Sequence, residues 1–303
     1  MPLSSLPAFF AEKLKNQYGE ELAEHIFDGF CQGRKTTCRI NRLKTTSEQI
    51  VSLLHSEGIP FTRCPWWEDA FLFDEGSEER LRALPAYENG MIYLQSLSSM
   101  LPPLFVEPGA GERILDMAAA PGGKTTQMAS LSENKALITA CEKNKIRAER
   151  LSYNVKKQGA TKCSVLVQDG ASLSPYMSFD KVLLDAPCSG SGTLVEREGK
   201  MQRLFSEKML SSCVKAQSAL LEKAIELVKK GGEIVYSTCS ILREENEDPV
   251  ERACRAGRVE VIPLEKSRFV GAQFLPTRIE GTLCVCPNGE YEGFFVSKLK
   301  KIK

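Results

Sequence analysis

Two cysteines sit at the ends of apolar runs that have the composition of buried strands. The first is in Lys181-Val-Leu-Leu-Asp-Ala-Pro-Cys188-Ser-Gly and the second in Glu233-Ile-Val-Tyr-Ser-Thr-Cys239-Ser. Ligands bind beyond the carboxyl ends of parallel strands, so both thiols can reach one pocket. Because a thiolate is a nucleophile, the pair predicts sulfur chemistry at that edge of a sheet.

A glycine-rich turn follows a third apolar run, in Asp116-Met-Ala-Ala-Ala-Pro-Gly-Gly-Lys124-Thr. Gly122 and Gly123 let a ligand approach the backbone closely, and the helix start that follows offers free N–H groups. Two interpretations compete. A P-loop requires a glycine where Ala118 stands, and Pro121 removes one N–H from a phosphate cradle. The other interpretation is a site for a nucleoside cofactor with a sulfonium centre.

Acidic residues end four successive predicted strands, at Asp116, Glu142, Asp169 and Asp185. A nucleoside cofactor needs an acceptor for its ribose hydroxyls, which Glu142 would supply, and a polar group near its adenine, which Asp169 would supply. Each carboxylate could instead cap the helix that follows it. Four of them in order favour a cofactor cleft.

A sulfonium methyl donor, a thiolate and a carboxylate together suit methylation of carbon 5 of a pyrimidine. That carbon is a poor nucleophile until a thiolate adds at carbon 6, which is covalent catalysis. A carboxyl group near ring nitrogen 3 stabilises the charge that develops there. The base must leave its stack to enter such a pocket.

Regular alternation of strands and helices after about residue 90 predicts a mostly parallel, seven-stranded α/β sheet with a Rossmann-like order. The predicted strands are 113–117, 136–142, 163–169, 181–186, 233–239, 259–262 and 293–299. Helices are predicted over 144–157 and 207–230.

The chain before residue 90 has a different pattern. Apolar side chains at helical spacing predict a helix within 7–31, and residues 37–43 alternate like a strand. Thr46 and Gln49 resemble a capping box that opens a helix, which Gly58 closes. We therefore expect a small α+β domain over 1–90 and the larger domain over 91–303.

Composition excludes several classes of protein. The chain has 303 residues, 42% of them hydrophobic, without a secretory signal or an apolar stretch long enough to span a bilayer. Eleven irregularly spaced cysteines predict reduced thiols in a cytoplasmic protein, and no pair has zinc-ligand spacing. We expect no metal and a monomer. The only histidines, His25 and His55, lie early in the chain, which argues against a serine–histidine triad.

The net charge of +1 is uninformative, but the basic residues are unevenly distributed along the chain. Five basic residues fall within 34–44, and the chain ends Lys298-Leu-Lys-Lys-Ile-Lys303. Such clusters can contact phosphates, and solvated surface is an equally good explanation of either one. The nine cysteines other than Cys188 and Cys239 are interpreted as small buried hydrophobes.

These motifs resemble the Sun/Fmu family of RNA (cytosine-5) methyltransferases. The resemblance rests on the glycine-rich turn, on Asp185-Ala-Pro-Cys-Ser-Gly-Ser-Gly-Thr, on Ser237-Thr-Cys-Ser and on Gln95-Ser-Leu-Ser-Ser-Met. It covers roughly residues 36–299. It implies a Rossmann-like methyltransferase core preceded by a small RNA-recognition-like domain, with S-adenosylmethionine as methyl donor and RNA as substrate.

The resemblance also implies roles for single residues. Cys239 would be the nucleophile and Cys188 would assist product release, a ranking that spacing alone does not give. Asp185 would lie near both methyl donor and cytosine, and Lys124 would orient the base. The cofactor-binding residues implied are Ala118, Ala119, Ala120, Pro121, Gly122, Gly123, Lys124, Glu142, Asp169 and Asp185.

The RNA substrate is less well defined. Ribosomal RNA is favoured over transfer RNA by family frequency. We expect neither a long N-terminal helical RNA-binding domain nor an extra C-terminal domain, and such appendages often select the RNA. The first alternative is a P-loop nucleotidase, which would require a glycine in place of Ala118 and would not need the two strand-end cysteines. The second is a catalytically silent RNA-binding protein, which should have lost a functional position, yet both cysteines, Asp185 and the glycine-rich turn are present.

Overall fold

A computed structural model gives the fold and describes residues 6–197, 200–201 and 205–303. The first five residues of the predicted domain 1–90 lie outside the described residues. The helices are α1 (Ala8–Tyr18), α2 (Glu20–Cys31), α3 (Ser47–Ser56), α4 (Glu78–Arg82), α5 (Pro85–Glu88), α6 (Leu97–Val106), α7 (Gly123–Leu131), α8 (Lys145–Gln158), α9 (Glu207–Leu227) and α10 (Glu247–Arg255).

The strands form three sheets. They are β1 (Thr36–Ile40), β2 (Thr62–Arg63), β3 (Ala70–Phe73), β4 (Ile92–Leu94), β5 (Arg113–Asp116), β6 (Leu137–Cys141), β7 (Cys163–Leu166), β8 (Phe179–Asp185), β9 (Glu196–Arg197), β10 (Lys200–Met201), β11 (Val228–Thr238), β12 (Val259–Ile262), β13 (Phe274–Leu275), β14 (Leu283–Val285) and β15 (Phe294–Lys301). β9 and β10 pair antiparallel as a separate two-stranded sheet.

The small sheet has the order β2-β3-β1-β4, and its neighbouring strands are antiparallel. Its helix α3 begins as the sequence predicts, because the capping box of Thr46 and Gln49 is formed. The boundary predicted near residue 90 stays a prediction, and β4 pairs with β1 just beyond it.

The first two helices pack away from the small sheet. Phe10, Leu14 and Ile26 are fully buried in the same apolar cluster as Val182 and Ile234 of the large sheet. The predicted helix within 7–31 is therefore two helices, divided at Gly19, and their apolar face covers the large sheet.

The large sheet has nine strands, in the order β13-β14-β15-β11-β8-β5-β6-β7, with β12 paired to β15. The predicted count of seven was wrong, because β13 and β14 are only two and three residues long and show no periodicity. The five strands from β11 to β7 are parallel, whereas β12 to β15 pair antiparallel. The parallel half is the Rossmann-like part.

The chain order along the parallel half reverses at β5. The chain passes from β5 to β6 and β7 on one side, and from β8 to β11 on the other. The turn after β5 therefore lies at the topological switch point, where open α/β sheets bind ligands. α9 ends at Leu227, three residues before the predicted end, because the backbone from Val228 already extends along β8.

Candidate active site

The glycine-rich turn connects β5 to α7. Gly122 has a φ of +106°, and a Cβ there would lie 2.9 Å from Leu151 Cδ1. At Gly123 a Cβ would lie 3.1 Å from Tyr93 Cε1. A side chain would strain the first position and crowd the second, so glycine keeps the turn tight against its neighbours.

A buried arginine of the small sheet holds this turn. Arg39 on β1 is fully buried, and its Nη2 donates to Gly123 O at 2.9 Å and to Thr126 Oγ1 at 2.8 Å. Its Nε donates to Gln95 Oε1 at 2.9 Å, and its guanidinium lies 4.9 Å from the Tyr93 ring centroid. The start of α7 is thus fixed by a cation from the preceding domain.

Two cavities open beside the turn. The carboxylate cavity, of about 350 Å³, is lined by residues that include Glu142, Asp169, Gly170 and Cys188. The lysine cavity, of about 310 Å³, is lined by residues that include Lys124, Ser99, Glu292 and Phe294. Glu142 directly follows β6 and Asp169 lies three residues after β7, so these two of the four predicted acidic strand ends reach the carboxylate cavity.

The two cavities share four lining residues, which are Ala118, Ala120, Asp185 and Cys239. Ala119, Pro121, Gly123 and Asp116 also line the lysine cavity. Gly122 lines neither cavity and acts through the shape of the turn. The shared residues therefore form the junction at which a group held in one cavity can meet a group held in the other.

The carboxylates of the carboxylate cavity are already oriented. Buried Glu142 accepts from Asn144 N at 2.8 Å and lies 3.3 Å from Arg147 Nη1. Asp169 accepts from Ala171 N at 3.0 Å, as the N-cap of a short 3₁₀ turn, and its side chain is 43% exposed. The capping role considered for these residues is real for Asp169. Both oxygens of Glu142 have a partner, whereas Asp169 Oδ2 has only Lys143 Nζ at 3.7 Å.

Lys124 and Asp185 form an ion pair at the junction, with Nζ and Oδ2 separated by 2.8 Å. Lys124 Nζ also donates to Ser99 Oγ at 2.7 Å, and Ser237 Oγ donates to Asp185 Oδ1 at 2.8 Å. Burial lowers the pKa of Lys124, but the Asp185 carboxylate outweighs it and leaves the pKa raised. The lysine therefore carries its proton in the cavity.

The two predicted thiols meet. Cys188 Sγ and Cys239 Sγ are 3.0 Å apart, and both side chains are partly exposed. The hydrogen bond with Cys239, followed by burial, raises the pKa of Cys188 well above its usual value. Cys188 thus holds its proton, and either sulfur can donate the hydrogen bond between them.

Adjacent residues hold the two cysteine turns. Fully buried Glu245 accepts from Ser189 N at 2.7 Å, from Ser189 Oγ at 2.5 Å and from Gln217 Nε2 at 3.0 Å. Asn246 accepts from Thr238 Oγ1 at 2.5 Å and donates to Ser240 O at 2.9 Å. The sequence analysis missed this pair, although the polar run 244–247 shortly after Cys239 is a signal for it.

Asp116 is a buried carboxyl group behind the turn. Its Oδ2 accepts from Thr125 Oγ1 at 2.7 Å, whereas its Oδ1 has no partner. Burial raises its pKa to about 7, and the Asp185 carboxylate contributes to the rise. Asp116 therefore titrates near neutral pH.

The other cysteines differ from this pair. Cys38, Cys64, Cys141, Cys284 and Cys286 are buried. Burial raises the pKa of Cys38 to about 12 and that of Cys286 to about 11. The interpretation as buried hydrophobes holds for these five, whereas Cys31 is exposed.

The basic stretch 34–44 is engaged within the chain. Arg34 pairs with Glu292, Lys35 with Glu290 and Arg42 with Glu68 and Asp69. Lys44 donates to the carbonyls of Asn89 and Lys157, and Arg39 is buried. These cations serve the fold more directly than they serve a phosphate.

Three observations concern a phosphate-binding loop, a metal site and a membrane-spanning helix. Lys124 faces Asp185 and Cys239, which is the wrong setting for the lysine of a phosphate cradle. Among the described residues, no three histidine, cysteine, aspartate or glutamate side chains are grouped to hold a metal ion. No helix in the described part of the chain is both long and apolar enough to cross a membrane.

The fold and the site together define a Rossmann-like methyltransferase core with an N-terminal ferredoxin-like domain. The family model described as 16S rRNA methyltransferase RsmB/F matches residues 103–300, and a model of a RsmF/B-like ferredoxin-like domain matches residues 6–78. The chain belongs to this family, and the predicted family resemblance is confirmed.

Individual relatives and solved structures support this family assignment. The chain is 37% identical over 299 residues to a ribosomal RNA small subunit methyltransferase F of Shewanella sp. (strain ANA-3), covering 95% of this chain and 62% of that relative's length. It is similar to the crystal structure of a methyltransferase homologue from Pyrococcus horikoshii, with 32% identity, a TM-score of 0.84 and coverage of 98% and 96%. It is also similar to NSun6 from Pyrococcus horikoshii with SFG, with 25% identity, a TM-score of 0.86 and full coverage of both chains.

Proposed function

We propose that this chain transfers a methyl group from S-adenosylmethionine to carbon 5 of a cytosine in RNA, through a covalent adduct on Cys239. The observation that carries the proposal is the junction of the two cavities at Cys239 and Asp185. A cofactor in the carboxylate cavity and a base in the lysine cavity would meet there.

The carboxylate cavity fits S-adenosylmethionine. Glu142 and Asp169 supply acceptors for ribose hydroxyls and the adenine amine, and the shared Ala118 and Ala120 leave room beside the loop. At Gly170 a Cβ would lie 2.8 Å from Met117 O, so glycine lets the two backbone segments of that wall pack closely. When bound, the cofactor supplies an electrophilic methyl group. SFG, which accompanies the related NSun6, is an analogue of this cofactor.

Cys239 is the nucleophile in this proposal. Its thiolate adds to carbon 6 of the cytosine, and the electron pair of the ring double bond makes carbon 5 nucleophilic. Carbon 5 takes the methyl group, and S-adenosylhomocysteine would be the other product. Carbon 5 then loses its proton to a water-derived base, the double bond re-forms and Cys239 leaves as a thiolate. The addition and the elimination thus balance, and the enzyme is regenerated.

Lys124 and Asp185 stabilise charge during this addition. The pair lies where the base would enter, and protonated Lys124 and the carboxyl group of Asp185 can bond the polar edge of the ring. Groups that are already oriented need no reorganisation as charge develops. Cys188 acts later, in product release, because its sulfur adjoins the leaving one and its thiol can donate a hydrogen bond to the Cys239 thiolate as it departs.

Ribosomal RNA is the proposed substrate, ahead of transfer RNA. The support is the name of the matching family and that of the curated relatives, which act on ribosomal RNA of the small subunit. Cytosine is proposed from the family resemblance, because the chemistry of the thiol pair suits either pyrimidine.

The test uses the chain with labelled S-adenosylmethionine and, separately, 16S ribosomal RNA and total transfer RNA. Mass spectrometry of the digested nucleosides should find 5-methylcytosine in the ribosomal RNA. Cys239→Ala should abolish it while cofactor affinity, measured by calorimetry, is nearly unchanged. Methylation by Cys239→Ala at the wild-type rate, or a methyl group on another ring position, would refute the proposal.

A further inference from the structure

The outer face of α8 carries large apolar side chains in solvent. Ile146 is 65% exposed and Tyr153 is 63% exposed. Together with Pro121, Arg150 and Asn154 they line a groove of about 370 Å³. An aromatic ring left open beside a cation is a surface suited to stacking with a planar ligand.

This groove adjoins the site. Pro121 lines both the groove and the lysine cavity. Asn154 Nδ2 donates to Pro121 O at 2.8 Å, and Arg147 Nη2 donates to Ala120 O at 2.9 Å. A strand whose base enters the lysine cavity would therefore place a neighbouring nucleotide against α8.

The charge of α8 complements a polyanion. The helix contains five basic residues and one acidic residue, Glu149. Lys145 and Arg147 lie in its first turn, where the helix dipole disfavours cations. Exposed Lys145, Arg150 and Lys156 form no ion pair with any described residue. Helix stability does not explain the cations of the first turn, whereas a phosphate backbone does. Lys156 lies in the last turn, where the helix dipole favours a cation.

The charged face continues onto the small domain. Lys157 Nζ lies 4.0 Å from the Tyr87 ring centroid and 5.8 Å from that of Tyr153. Arg82 lies over the same Tyr87 ring, at 5.2 Å. Burial lowers the pKa of Lys157, Glu88 opposes this, and the nearby Arg82 and Lys44 lower it further. An anion arriving between these cations would relieve their repulsion.

We propose that the groove between Pro121 and α8 binds a base of single-stranded RNA next to the target cytosine, stacked on Tyr153. The RNA backbone then follows the cations of α8 toward Lys157 and Tyr87. Base stacking on aromatic side chains and backbone contacts to cations are the usual means of binding a single strand. The inference rests on the proposed function, because that function makes the strand RNA and the lysine cavity its anchor.

The test measures the binding of two cytidine dodecamers, each with one 2-aminopurine as a fluorescent reporter. The reporter precedes a cytidine near the middle of the strand in the first oligonucleotide and follows it in the second. Fluorescence reports stacking of the reporter, and anisotropy gives the affinity. Stacking on the protein should quench the 2-aminopurine fluorescence. Tyr153→Ala should weaken binding about tenfold and relieve this quenching, whereas Tyr153→Phe should keep both the affinity and the quenching. Arg150→Ala should reduce the slope of log affinity against log salt by about 0.7.

Tyr176→Ala is the matched control, because Tyr176 is 95% exposed and lies outside the groove. It should bind like the wild type, and cofactor affinity should be unchanged in every variant. Unaltered RNA affinity of Tyr153→Ala, or an equal loss in Tyr176→Ala, overturns the inference. Tyr153-dependent binding without 5-methylcytosine would support the groove and contradict only the proposed chemistry.

Discussion

Cys188 Sγ and Cys239 Sγ lie 3.0 Å apart although 51 positions separate the residues in the sequence. The contact exists because β8 and β11 are parallel neighbours that end at the same edge, with Asp185 opposite Ser237. Two sulfurs this close can act in the same covalent cycle, one in the addition to the base and the other in its release. Substitution of each cysteine separately tests the two steps.

Removal of Cys188 should trap the RNA on the protein. In Cys188→Ala, Cys239 can still add to the cytosine, but release is impaired, so a covalent adduct should accumulate. A denaturing gel with labelled RNA and S-adenosylmethionine should show a shifted species, which Cys188→Ala with Cys239→Ala should lack. Absence of the shifted species in the single variant would count against the role of Cys188.

Asp169 should contribute to cofactor affinity. Asp169→Asn keeps an oxygen that can cap the following turn but removes the charge that faces the carboxylate cavity. We expect S-adenosylmethionine binding to weaken by on the order of 1–3 kcal/mol, the scale of a lost hydrogen bond to a charged group. Calorimetry measures it, with exposed Asp28→Asn as control. Equal affinities in both variants would remove Asp169 from the cofactor site.

Glu245 should stabilise the fold as well as the cysteine turns. Glu245→Ala leaves both donors of Ser189 and one N–H of Gln217 buried without an acceptor, so the free energy of unfolding should fall by about 3 kcal/mol or more. Its neighbour Glu244 pairs with Lys13 at the surface, and Glu244→Ala should cost under about 1 kcal/mol. Denaturant unfolding compares them. Similar losses in the two variants would show that the buried carboxylate has no special role.

Asp116 should make the stability of the cofactor-free protein depend on pH. Its pKa is about 7 in the folded chain and about 3.8 when unperturbed, so between these values only the folded state holds the proton. Stability should therefore fall as pH rises from about 4 to about 7, by on the order of a few kcal/mol, and then level off.

Asp116→Asn should flatten that part of the profile, because the amide does not titrate. Urea unfolding at several pH values gives both curves, and their difference isolates the carboxyl group from the other titrating residues. Parallel curves for the two proteins would contradict the raised pKa of Asp116.

Much of this site could be predicted from local patterns. The parallel strands, the tight glycine turn and the convergence of Cys188 and Cys239 follow from period and strand-end position. β13 and β14 could not be predicted, since their pairing with β15 depends on distant residues. The interactions of Arg39 and Glu245 were missed for the same reason, because a buried charge is recognisable only once its partners are placed.

Arg39 has a consequence for protein engineering. Its guanidinium belongs to β1 and completes hydrogen bonds to Gly123, Thr126 and Gln95. Grafting the N-terminal module of another family member onto this core would therefore have to preserve that arginine and its acceptors as one transferable unit. A chimaera that replaced Arg39 but kept its acceptors would leave buried carbonyl and hydroxyl groups without a hydrogen-bond donor beneath the glycine-rich turn.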